Sequence, residues 1–292
     1  MSIEETIGQL SRRATATAWV ISDLQQSDPA QAQRCLRTAL DDMRDIGTPF
    51  HRIWYLGDAV EGSDRRHLEE MVAMQIEELG KFHVPLLFVP GNHDFDFNEG
   101  GRRKSLFREA VSKTTNWVTT ESDESLFVED SWAGHRIIAM ADHVCPRGSW
   151  ACTHGIIHGA LEAYPYGQEA YRHLRERMAV DRQPVITLSH YSFPGGNRPS
   201  PLFERLMPLP LQVRLHLYGH AHIGDVQWAG KDAFRTISGV DGYPVHQIDV
   251  ASLEDRRGSA VRSVLLDILP GGAIAVRFRN HTHRQWTGLL ML

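Results

Sequence analysis

Five short stretches of this chain carry side chains suited to chemistry, and the most concentrated is Gly91-Asn92-His93-Asp94, directly after the apolar run Val84 to Val89. A turn at the end of a buried strand is a common place for function. Gly91 permits a sharp bend, Asn92 offers a neutral oxygen to a metal, and His93 exchanges protons near neutral pH. Around it stand Asp23 and Gln25, Gly57-Asp58, Ser189-His190, and Gly219-His220-Ala221-His222. Together Asp23, Gln25, Asp58, Asn92, His190, His220 and His222 make a mixed oxygen and nitrogen donor set, which suits divalent Mn, Fe or Zn. Seven donors are enough for two ions, and a carboxylate such as Asp58 can bridge both.

Elements that end at these positions must deliver them. Ala18 to Ser22 reads as a buried strand ending before Asp23, and if the extended backbone persists Asp23 and Gln25 point the same way. Asp28 and Pro29 form the N-cap and first turn of a helix with Leu36, Leu40 and Met43 at helical spacing, closed by Gly47. The unit repeats: strand 52–56 delivers Gly57-Asp58, Ser63 caps a helix that carries Leu68, Val72 and Leu79 and ends at Gly80, and strand 84–89 delivers the Asn92 turn. Strands alternating with helices imply parallel pairing, and ligands then gather at the carboxyl ends of the strands.

Residues 1–15 form a loose arm or one docked helix. After the turn, a basic stretch with Arg102, Arg103 and Lys104 leads into a helix through about residue 112, strands follow at 125–129 and 135–141, and 142–167 is irregular. A helix around 168–179 precedes apolar strand 185–188, which ends in Ser189-His190, and strand 213–218 ends at Gly219. Segments 263–268 and 273–278 alternate apolar and polar residues and read as antiparallel strands of a second sheet. Without a repeat or linker, one domain over 1–292 is expected, with a motif-bearing core at 16–250 and C-terminal strands at 260–280.

A chain of 292 residues with 42% hydrophobic and 23% charged residues has the composition of an ordinary globular protein. The net charge of −5 leaves no electrostatic footprint for a polyanion, so nucleic acid is a disfavoured partner. No apolar run suggests a membrane span, and an acidic start suggests no targeting segment. Cys35, Cys145 and Cys152 are an odd number in a chain that needs no staples, which fits free thiols in a cytoplasmic protein.

In order, these motifs resemble those of the calcineurin-like metallophosphoesterases, D-x-H, G-D, G-N-H-[DE], a lone H, and G-H-x-H. Here they run Asp23-Leu24-Gln25, Gly57-Asp58, Gly91-Asn92-His93-Asp94, His190 and Gly219-His220-Ala221-His222, spanning residues 23–222. The gaps of 35 residues from Asp23 to Asp58, 34 to Asn92, and 30 from His190 to His220 suit such a fold. The resemblance implies an α/β fold of four layers, α/β/β/α, with two mixed sheets face to face and helices outside. It implies a first metal on Asp23, Asp58, His222 and position 25, and a second on Asp58, Asn92, His190 and His220. The implied reaction is in-line hydrolysis of a phosphomonoester or phosphodiester by a hydroxide bridging the two ions. His93 then assists the leaving group, with Asp94 orienting its ring. The departure is Gln25 where the pattern has His, and an amide oxygen is a weaker ligand for a borderline ion.

The expected partner is a phosphorylated small molecule or other phosphoester, with Asn92, Arg102 and Arg103 as candidate substrate contacts. Gln25 also keeps open a binding or scaffold protein of weakened activity, and a nuclease is the less favoured reading. Cys145, Cys152, His154 and His158 have spacing unsuited to a tight zinc knuckle, so His154 or His158 reads as lining a substrate entrance, with exposed loop histidines as the alternative. His281 and His283 read as surface residues at a strand end, and Trp19, Trp54 and Trp228 as core.

Overall fold

The computed structural model describes residues 2–61, 67–94, 106–120, 127–140, 183–196, 213–222, 234–238, 244–256 and 260–292, with isolated positions within 172–179 and at 203. The expectations for Ser63, Arg102, Arg103, Cys145, Cys152, His154, His158, Trp228 and the 142–167 segment lie outside the described residues. So does most of the helix expected at 168–179.

The amino-terminal segment is a helix, α1 (Ile3–Arg13), opened by a capping box in which Ser2 and Glu5 bond each other's backbone amides. Strand β1 (Ala16–Ile21) is buried along its whole length. Helix α2 (Pro29–Ile46) starts from the Asp28 cap, and Gly47 closes it in a left-handed turn at φ 60°. Its inner face, including Cys35, Leu36, Leu40 and Met43, packs on the sheet. Strand β2 (Arg52–Tyr55) leads to helix α3 (Leu68–Gly80), then β3 (Leu86–Phe88), α4 (Leu106–Ser112) and β4 (Trp117–Thr119). The N-cap of α3 is His67, without a side-chain hydrogen bond, and Gly80 is its last helical residue.

Further along come β5 (Phe127–Trp132), β6 (His135–Met140), β7 (Val185–Leu188), β8 (Val213–Tyr218), β9 (Phe234–Ser238) and β10 (Pro244–Asp249). The chain ends in β11 (Arg262–Ile268), β12 (Ile274–Asn280) and β13 (Gln285–Met291). Two mixed sheets result, of order β13-β12-β11-β1-β2-β3-β4 and β5-β6-β7-β8-β10-β9. They face each other across one core, where Val20, Trp54 and Leu87 of the first meet Ile137, Ile186, Leu215 and Ile248 of the second. Helices flank this α/β arrangement, and α2, α3 and α4 share a second core with the outer face of the first sheet. Trp19 and Trp54 are both core residues.

The assignment of the carboxyl-terminal strands is corrected. Strand β11 runs antiparallel to β1, with Val264 opposite Val20 and Ile268 opposite Ala16, so it extends the first sheet rather than building the second. Alternation suggests an antiparallel strand but not the edge that receives it; β11 completes the edge of β1 away from β2 and is buried along its whole length.

His281 is also corrected, from surface to core. Its Nδ1 lies 2.7 Å from Asp42 of α2 and its Nε2 lies 2.7 Å from the Ser263 hydroxyl, which in turn accepts from the Trp19 indole at 2.7 Å. Asp42 also accepts from Arg279 at 2.7 and 2.8 Å. Serine, histidine and aspartate in this order have the contacts of a nucleophilic triad, yet Ser263 is fully buried and closed to any substrate. The group instead pins α2 to strands β1, β11 and β12, at a point no periodicity could mark.

Candidate metal centre

Each candidate ligand leaves the carboxyl end of a strand. Asp23 follows β1, Asp58 follows β2, Asn92 follows β3, His190 follows β7, and His220 and His222 follow β8. Main-chain bonds tie these loops together. The Asp23 amide donates to Gly57 carbonyl at 2.9 Å, that of Gln25 to Asp58 carbonyl at 3.0 Å, and that of Gly219 to His190 carbonyl at 3.1 Å. The third bond lies within the second sheet's loops, while the His190 ring reaches Leu56 carbonyl of the first sheet at 2.7 Å. Both sheets are therefore needed to make one site.

The backbone is strained there. Asp23, Asp58, His220 and His222 take φ values of 55°, 51°, 65° and 47°, a region non-glycine residues enter at a cost and mostly where function holds them. The turn at Asp23 ends the extended backbone, so the expectation that Asp23 and Gln25 share a direction through strand geometry does not hold. Two glycines make room for the crowding. A Cβ on Gly91 would stand 2.3 Å from the Asp58 carboxylate, and one on Gly219 would stand 1.9 Å from the Ser22 hydroxyl.

Two groups of ligand atoms meet. Asp58, His190 and His220 form one, and Asp23, Asp58 and His222 the other, with the atoms of each group within 4.8 Å of one another. Asp58 belongs to both. His190 fixes the polarity of its group: a carbonyl only accepts, so Nδ1 carries the proton toward Leu56 and Nε2 presents a lone pair. That lone pair faces Asp58 Oδ2 at 3.1 Å and Asn92 Oδ1 at 3.2 Å. Asp58 Oδ2 and His220 Nδ1 are both buried with no hydrogen-bond partner. A cation is the group such a cradle fits.

The second group is rich in carboxylate. His222 Nε2 lies 3.0 Å from Asp23 Oδ1, and its Nδ1 lies 2.7 Å from Glu254, a fully buried carboxylate absent from every motif read in the sequence. The other Asp23 oxygen accepts from the His220 amide at 2.9 Å. Burial lowers the pKa of His222, but the charges of Asp23 and Glu254 outweigh it and raise the ring to about 9. Burial and the nearby His190 hold His220 at about 3. Burial raises Asp23 and Asp58, yet their histidine neighbours leave both below the ordinary carboxylate value. Positive charge is therefore favoured at the Asp23–Asp58 side of the site.

Gln25 is fully buried, and its amide nitrogen donates to Glu61 Oε2 at 3.1 Å. Glu61 Oε1 stands 2.7 Å from His93 Nδ1. Burial lowers the His93 pKa, but the bond to Glu61 and the charge of Asp58 prevail and raise it. Asp94 does not orient this ring. Its carboxylate accepts from the amides of Asp58, Ala59, Val60 and Gly91 at 2.7 to 3.3 Å. It binds the Asp58 loop to the Asn92 turn, and burial with the Asp58 charge pushes its pKa up to about 7. The signal that could have found Glu61 is its place three residues after Asp58, within reach of the same cluster.

Tyr191 completes the rim. Its hydroxyl donates to Asn92 Oδ1 at 3.2 Å, and its ring lies 4.0 Å from that of His220.

Comparison with known proteins agrees with this arrangement. No curated protein matches the sequence. A dimetal phosphatase from Danio rerio superposes with a TM-score of 0.66 at 14% identity, over 95% of this chain and 98% of that one. The purple acid phosphatase of yellow lupin (Lupinus luteus) seeds gives 0.60 at 14% identity, over 94% of this chain and 53% of that one, so this chain spans about half its length. At such identity the likeness is one of fold. The family model of the calcineurin-like phosphoesterases matches residues 16–224, which include every candidate ligand, and the chain belongs to that family.

Proposed function

We propose that this protein is a phosphoesterase that works with two divalent ions, Mn, Fe or Zn, and hydrolyses a phosphomonoester or phosphodiester. The observation that carries the reading is the sharing of Asp58 between two groups of converging ligand atoms, one with His190 and His220 and the other with Asp23 and His222. Asn92 joins the first group through the oxygen it turns toward His190. Gln25 would enter the second group through its oxygen, because its amide nitrogen donates to Glu61. Held by these residues, two ions would supply activation of water and neutralisation of charge on the phosphoryl oxygens.

The chain's own residues do the rest. His93, held at Nδ1 by Glu61, keeps Nε2 for a proton delivered to the departing oxygen. Asp94 keeps the loops of Asp58 and Asn92 in register through four amides. Arg102 and Arg103 complete the reading as contacts for the substrate's anionic groups. The donor chemistry and the intact His93 favour an enzyme over a scaffold, and the net charge of −5 favours a small substrate over nucleic acid.

The test is metal analysis of the purified protein, with hydrolysis of 4-nitrophenyl phosphate and bis(4-nitrophenyl) phosphate in Mn, Fe or Zn, beside Asp58→Asn. Two equivalents of metal and turnover of either ester in the wild type, with both diminished in the variant, are expected. A protein that takes up no metal and cleaves neither ester refutes the reading.

A further inference from the structure

Beyond the ligand shell, one guanidinium joins its two halves. Arg256 Nε lies 2.5 Å from Glu254 Oε2, and its terminal nitrogen donates to Glu61 Oε2 at 3.3 Å. Each carboxylate reaches a histidine with its other oxygen, Glu254 to His222 and Glu61 to His93, both at 2.7 Å. Glu61 also holds the amide of Gln25. The line His222, Glu254, Arg256, Glu61, His93 therefore runs from a candidate ligand to the candidate acid without a gap longer than 3.3 Å.

We propose that Arg256 is a positioning residue that locks Glu61 and Glu254 toward their histidines, so that a single cation sets the aim of both His93 and His222. The inference rests on the two-ion phosphoesterase reading above. Its physical basis is charge and shape. Glu61 and Glu254 are buried beside Asp23 and Asp58, so four carboxylates repel one another at low dielectric. A cation between two of them offsets that repulsion. The planar fork of arginine donates along two directions at once, whereas the ammonium of lysine is a point charge on a flexible stem. Glu61 and Glu254 come from loops far apart in sequence, one after β2 and one after β10, and Arg256 spans them with its side chain 26% exposed.

The test uses Arg256→Met and Arg256→Lys in the full chain. Manganese binding is measured by calorimetry without substrate, and turnover is compared on a 4-nitrophenyl ester and on the phenyl ester of the same class. Expected for Arg256→Met is a loss of about 10–100-fold in manganese affinity at the weaker site, the scale of losing an orienting partner of a ligand. Turnover should fall more on the phenyl ester than on the 4-nitrophenyl ester, because the poorer leaving group depends more on an aligned acid. Arg256→Lys should recover less than half of either loss on a logarithmic scale. Unchanged manganese affinity, or an equal loss on the two esters, overturns the inference. If Arg256→Met does not fold, the same two readouts on Arg256→Lys decide, and wild-type behaviour there overturns it. A wild type that binds no manganese and cleaves no ester refutes the functional reading instead, which separates the two failures.

Discussion

Glu61 Oε1 stands 2.7 Å from His93 Nδ1, while Asp94, the chain neighbour of His93, gives its carboxylate to four backbone amides. The ring of His93 is thus aimed by the loop after β2 rather than by its own turn. Asp94 acts one level down, as the bracket between the Asp58 and Asn92 loops.

His93→Ala is expected to keep its metal and to lose about 10²–10⁴ in kcat, the usual contribution of a general acid. The loss should shrink on an activated ester. Metal content and rates on 4-nitrophenyl and phenyl esters check this, and equal rates to wild type on both would remove His93 from the reaction.

Gln25→His is expected to tighten the weaker manganese or zinc site by about tenfold, or about 1.4 kcal/mol. An imidazole can donate one nitrogen to Glu61, as the amide now does at 3.1 Å, and offer the other to the ion. Calorimetric titration of both proteins with each metal checks it. Equal affinities would mean that the amide oxygen is as good a ligand here.

Gly219→Ala places a Cβ 1.9 Å from the Ser22 hydroxyl and 2.6 Å from Asp23 Oδ2. Overpacking of this kind costs about 1–3 kcal/mol, and the carboxylate that must move is a candidate ligand. A lower Tm together with reduced metal content is expected, read by thermal unfolding and elemental analysis. A variant that loses neither would show that the loop yields without moving Asp23.

His216 offers a pH test at a residue that is not itself a candidate ligand. It is fully buried, stacked on Phe193 at 3.8 Å, with Nδ1 at 2.9 Å from the Thr187 hydroxyl, and burial lowers its pKa from 6.5 to about 3. Between those values the unfolded chain binds a proton that the folded chain refuses. Its contribution is whole above pH 6.5 and is lost as pH falls toward 3, with a slope of up to about 1.4 kcal/mol per pH unit. Urea unfolding of wild type and His216→Asn from pH 7 to pH 4 checks the sign. The variant should be less stable at pH 7 but fall less steeply.

Local patterns in the sequence were enough for the helix that Asp28 and Pro29 open and Gly47 closes, and for the strands that end before Asp23, Asp58, Asn92, His190 and His220. Those features depend on neighbours in the chain: cap, period and turn. The order of the motifs carried the family and the ligand candidates for the same reason. Tertiary structure decided which groups face each other. Strand β11 joined β1 because an alternating strand fits any edge of suitable length, and only packing selects one. His281 lies in the core because Asp42, 239 residues away, meets it at 2.7 Å. Glu254 and Arg256 were invisible in the sequence because a lone charged residue in a loop has no period and no motif, and Glu61 offered only its place three residues after Asp58. The two carboxylates gain meaning only where folding buries them within reach of His93 and His222, and Arg256 only where it meets both carboxylates, since a carboxylate orients a ring through distance and direction, and neither is written along the chain.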